Sequence, residues 1–109
     1  MSIDLFNEIF QRLQQLEESV KDLRQDGARY AEAEREYRTE QSKEMLNMRH
    51  NGMPVTIIPD VVRGMEHVSD LRFERDCARV IYESTKEAIN VYKLAVRILE
   101  NQLEREWRG

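Results

Sequence analysis

Disulfide chemistry is excluded first: the chain holds one cysteine, Cys77, and a single thiol closes no internal bridge. Proline and glycine are nearly as scarce, two and four in 109 residues, and aromatics make up only 7%. That supply suits long solvated helices and does not suit a β-sandwich or an α/β enzyme. No apolar run approaches the roughly 20 residues that cross a bilayer. The opening MSIDLFNEIF has no basic stretch ahead of an apolar one, so no secretory signal is expected. With a lone thiol, the expected location is the cytoplasm, away from any membrane. An excess of positive charge is missing too: 17 Lys and Arg face 21 Asp and Glu, a formal charge of −4. Nucleic acid therefore finds no global field to hold it. There is no glycine-rich phosphate loop and no GxSxG elbow, so neither a catalytic residue nor a cofactor is expected.

What the chain has is periodicity. Charged residues reach 35%, a level found in disordered chains, but here the apolar residues recur regularly. Residues 66–107 read as one helix of about 60 Å. Within it Tyr82, Thr85, Ile89, Tyr92, Val96, Leu99 and Leu103 alternate by three and four, the spacing of a heptad seam. Residues 2–26 show the same rhythm in Phe6, Ile9, Leu13, Leu16, Val20 and Leu23, with Ser2 or Asp4 placed to cap the start. Gly27 weakens a helix interior by roughly 1 kcal/mol relative to Ala. The pattern resumes at once, with Tyr30, Ala33 and Tyr37, and the reading favours continuity over a break. From 28 to 51 apolar residues thin out, and Glu32, Glu36, Glu40 and Glu44 form an acidic edge.

The one clear interruption is Asn51-Gly52, a helix stop followed by Pro54. The segment Met53–Gly64 is apolar and β-branched. Thr56 is placed to cap a short turn that tolerates Pro59 near its start, and Val55, Ile57, Ile58, Val61 and Val62 are expected to fold back and plug a hairpin end. The expected fold is therefore all-α: a long antiparallel helical hairpin, coiled-coil-like, of one domain spanning 1–109. Arm one covers 2–51, the connector 52–65 and arm two 66–107. Folding the arms back pairs Leu13 with Leu103, Val20 with Val96, and Tyr37 with Ala78 and Tyr82. The expected seam holds Leu13, Leu16, Val20 and Leu23 on one arm and Tyr82, Ile89, Tyr92, Val96, Leu99 and Leu103 on the other. Ala78, Ile81, Ala88, Ala95 and Ile98 widen the stripe on arm two beyond what one partner helix covers. Self-association follows as an expectation, most simply a dimer that forms a four-helix bundle.

Candidate sites are few. Cys77 has no histidine at helical spacing and reads as structural. His50 and His67 flank the connector, and a metal site there would need further ligands, so none is expected. The glutamate edge lacks the Glu-x-x-His pairing of bundle di-iron sites and reads as a solvated face. Arg49, His50, Thr56, Arg63, His67, Arg72, Arg75 and Arg79 gather toward the connector and are the candidate partner-binding set. Glu66, Asp70, Glu74 and Asp76 interleave with them, so local ion pairing is the competing account. A helix-turn-helix reading of the connector suffers from Pro59 and from acidic Glu66 and Asp70.

YAEAEREYR at 30–38, RHNGMPVTIIPDVVRG at 49–64 and LRFERDCARVIYESTKEAIN at 71–90 together resemble a loosely defined group of small helical accessory proteins of phages and prophages of Gram-positive bacteria. The resemblance spans residues 28–107, and the connector is its most specific part. It implies a phage accessory protein acting inside a bacterial host cell and carries over no catalytic residue. The functional expectation is a non-enzymatic, homo-oligomeric protein that binds a macromolecular partner, either inhibiting a host-defence protein or serving as an adaptor. The alternative is a nucleic-acid-binding accessory of replication or recombination.

Overall fold

In the computed structural model residues 2–109 are described, apart from the side chain of Ser2, so the capping role considered for Ser2 lies outside the described residues. The chain is an all-α helical hairpin. Its helices are α1 (Ser2–His50), α2 (Ile58–Arg63) and α3 (Glu66–Arg108), with no strand among the described residues. Asp4 sits in the first turn of α1, where its charge suits the helix dipole. Gly27 lies inside α1 without interrupting it. By contacts the chain falls into two compact units, one of residues 1–26 with 82–109, the other of residues 27–81.

In the first unit Leu5, Ile9, Ile89 and Val96 are buried. On α3 Tyr82, Thr85, Tyr92, Leu99 and Leu103 are half-buried between them, so every heptad residue of this arm lies in or beside the seam. On α1 the seam is rotated by one residue from the expected stripe. Leu16 and Leu23 are half-buried, but their companions are Leu5, Arg12, Ser19 and Asp26. Leu13 and Val20, expected in the seam, are instead 43% and 37% exposed, beside Phe6 and Phe10. The two stripes share Ile9, Leu16 and Leu23 and differ only in the intervening positions. Asp26 shows why the more polar stripe turns inward: its Oδ2 accepts a 2.6 Å hydrogen bond from the Thr85 hydroxyl of α3, satisfying both groups.

In the second unit Tyr37, Ile58, Val62 and Val68 form a buried cluster, with Met45, Met48, Met53, Met65 and Leu71 packed against it. The Asn51-Gly52 stop works as a Schellman motif. Gly52 takes φ +83°, its N–H donates to the Arg49 carbonyl and the Met53 N–H donates to the Met48 carbonyl, both at 3.1 Å. The connector then makes α2, with Pro59 in its first turn. Ile57, not Thr56, is its N-cap, and no side chain caps it. Ile58 and Val62 of α2 point into the cluster, while Val55, Ile57 and Val61 are exposed.

The register of the two arms differs from the expected one. The expected pairing places Asn90 opposite Asp26 and Tyr82 opposite Glu34. Instead Thr85 bonds to Asp26 and Arg75 to Glu34. Met45 and Met48 in the last turns of α1 pack against the cluster that holds Ile58 and Val62. The connector thus covers the end of α1, and the start of α3 packs further back along it.

Candidate functional site

Chemistry concentrates in the second unit, on facing turns of α1 and α3. Arg75 is the most engaged side chain. Its guanidinium donates to Glu34 Oε2 and to Asp76 Oδ1, each at 2.8 Å, and lies 4.7 Å from the centroid of the Tyr37 ring. Only 14% of the side chain is exposed. The ring of Tyr37 is itself buried, its hydroxyl accepts from Gln41 Nε2 at 3.1 Å, and the Arg38 guanidinium lies 5.6 Å from its centroid. Hydrogen bonds from Arg75 and then Arg38 hold the Glu34 carboxyl below its ordinary pKa of 4.5. The hydrogen bond to Glu34, ahead of that to Asp76, pushes the Arg75 guanidinium above its ordinary range. Arg75 therefore works inside the protein as a clamp between two helices.

Two turns along α1, Glu40 and Glu44 meet His67 of α3. His67 Nε2 lies 3.4 Å from Glu40 Oε1 and 3.6 Å from Glu44 Oε1. The sequence pattern shows Glu40 and Glu44 on one face, but the register that brings His67 to them is not visible in helical spacing. These three residues form a set of donor atoms all within 4.8 Å of one another, the arrangement that can hold a metal ion.

The other candidate partner-binding residues scatter in environment. Arg49, His50, Thr56 and Arg63 are exposed and Arg72 is half-buried. Arg79 lies 3.6 Å from Asp76. Among the described residues Arg49, Arg63 and Arg72 make no ion pair, whereas Arg75 and Arg79 do. Beside Arg49 runs a groove lined by Met45, Leu46, Val55, Ile58 and Pro59, with Leu46 and Val55 about two-thirds exposed. Cys77 is exposed and unbridged.

The first unit presents a second type of surface. Ile3, Phe6, Phe10, Leu13 and Val20 are exposed along one face of α1, and Val91, Leu94 and Ile98 along α3. No helix of the described residues is long and apolar enough to cross a membrane, so these stripes are not spans. Comparison with protein-family models, curated proteins and solved structures finds no match for the chain.

Proposed function

We propose that this is a non-enzymatic helical protein that pairs with a second copy of itself and acts by binding another protein. The observation that carries the reading is the stripe Phe6, Phe10, Leu13 and Val20, between 37% and 63% exposed. Contiguous apolar surface of this kind is uncommon on a protein that stays single. Its three-and-four spacing matches the seam beside it, so its natural cover is another helix of the same rhythm. The chain carries such a helix in α3, where Val91, Leu94 and Ile98 share a face. Pairing of two hairpins through these stripes would give a helical bundle.

The surface for a different protein is the connector groove, where Leu46 and Val55 are exposed beside Arg49. An apolar floor with an arginine at its rim is the composition of a protein-binding patch. The resemblance to phage accessory proteins supports a bacterial cytoplasm as the setting and a host-defence protein or a replication component as the class of target.

Mass measured by light scattering across a range of concentrations tests the assembly. A mass of two or more chains is expected, and Phe10→Glu should lower it to one chain with helicity by circular dichroism unchanged. A single-chain mass for the wild type at every concentration refutes the pairing. For the partner, Leu46→Glu with Val55→Glu should keep the assembled mass but lose a host protein that the wild type retains. The second reading, nucleic-acid binding, draws on the free guanidinium groups of Arg49, Arg63 and Arg72. It predicts DNA retention that falls steeply with salt and is lost in Arg72→Glu.

A further inference from the structure

A glutamate row on a helix is by itself a solvated edge, and the functional reading above makes no use of this one. Two observations set Glu40 and Glu44 apart from that. The first concerns charge. On the neighbouring rung Glu34 is matched by Arg75 and Arg38, and Glu32 by Arg35. Glu40 and Glu44 have side chains only 28% and 17% exposed and stand four residues apart, where like charges repel. Among the described residues neither has an arginine or lysine partner, and His67 offsets a carboxylate charge only when protonated. The seam therefore contains a half-buried pair of carboxylates with no permanent cation.

The second observation concerns spacing. His67 comes from the other helix, and its Nε2 stands 3.4 and 3.6 Å from one oxygen of each carboxylate. Donors about 2.0–2.1 Å from a tetrahedral zinc ion are separated from one another by roughly 3.3 Å. The two separations from the imidazole are thus already near those that a first-row divalent ion imposes, and all three donors lie within 4.8 Å of one another. One imidazole and two carboxylates suit zinc, manganese or iron(II). They do not suit calcium, which requires six to eight oxygen ligands.

We propose that Glu40, Glu44 and His67 form a site for a first-row divalent metal ion, zinc being the probe of choice, that ties α1 to α3 and leaves the remaining coordination positions to water or to a ligand brought by a partner. Three protein ligands leave a coordination position open. At this rung the ion supplies the cation that arginine supplies at the next.

Isothermal titration with zinc chloride tests this on the full-length chain in a Cys77→Ser background, which removes the exposed thiol as a competing ligand. One zinc per chain is expected, together with a rise in melting temperature that a chelator reverses. Glu44→Gln and His67→Gln should each weaken binding by more than the roughly 10–100-fold that loss of an outer-shell partner costs. Glu36→Gln, on the same acidic edge outside the cluster, and His50→Gln should leave it unchanged. Circular dichroism and the zinc-free melting temperature show whether each variant is folded. Failure of the Cys77→Ser chain to bind zinc overturns the proposal, as does binding that survives His67→Gln undiminished.

Discussion

Replacing Arg75 with alanine should cost about 2 kcal/mol, a sum in which each contact has a separate origin. Its hydrogen bond to Glu34 is charge-assisted and short, at 2.8 Å, but one third of the Glu34 side chain faces solvent. That exposure discounts the pair to about 1 kcal/mol, between a screened surface bridge and a fully buried one. The guanidinium over Tyr37 adds about 0.5–1 kcal/mol. The contact with Asp76, its neighbour in sequence and 41% exposed, adds little. For a chain of this size the total lowers the melting temperature by roughly 8 °C, measured at fixed protein concentration. Glu34→Gln alone should cost about 1 kcal/mol, and the double variant should cost about 1 kcal/mol less than the two single values added together. The acid limb gives a second check. The Glu34 carboxyl titrates below its ordinary 4.5 when folded, so its stabilisation is fully present above pH 4.5. It is lost as pH falls through the lower, folded value, because the protonated carboxyl no longer holds Arg75 by charge. The gap between wild type and Glu34→Gln in thermal melts should therefore narrow below pH 4.5 and stay constant from there to neutrality. Strict additivity of the two substitutions, or a gap that widens on acidification, would refute the clamp.

Other substitutions probe the connector. Val62 is fully buried in the Tyr37 cluster, so Val62→Ala should cost about 1–2.5 kcal/mol in chemical denaturation, through lost transfer energy and the cavity left behind. Gly52→Ala meets no atom within 4 Å of the added Cβ but must keep φ near +83°. Its cost is then the left-handed backbone alone, about 1–2 kcal/mol, and Gly52→Asn should cost less in the same assay.

Arm two was legible in the sequence because both of its core positions carry apolar or small residues, from Tyr82 to Leu103, a longer run than the rival face of Val91, Leu94 and Ile98. Arm one was ambiguous. Phe6, Leu13 and Val20 are more apolar than Leu5, Arg12 and Ser19, and both sets share Ile9, Leu16 and Leu23. Only the opposite helix, with Thr85 facing Asp26, decides between them. The helix stop at Gly52 was readable from its residue type, whereas the packing of α2 against the end of α1 was not. The register that sets His67 against Glu40 and Glu44 was equally hidden. The glutamate row shows in the sequence through its spacing of four. Its histidine comes from sequence more than twenty residues away, where no local spacing can announce it.

Seams made only of apolar side chains suffer a degeneracy, since slippage by seven residues returns hydrocarbon to hydrocarbon at little loss. Asp26 breaks that symmetry within its own unit. One heptad of slippage would set its carboxylate against Tyr92 or Ala78 in place of the Thr85 hydroxyl. Arg75 does the same in the other unit, where a misaligned guanidinium would forfeit Glu34 and Tyr37 together. Sparing polar insertions of this kind exclude the wrong alignments, so insertion or deletion of a whole heptad in one arm should be as disruptive as a change of fractional length.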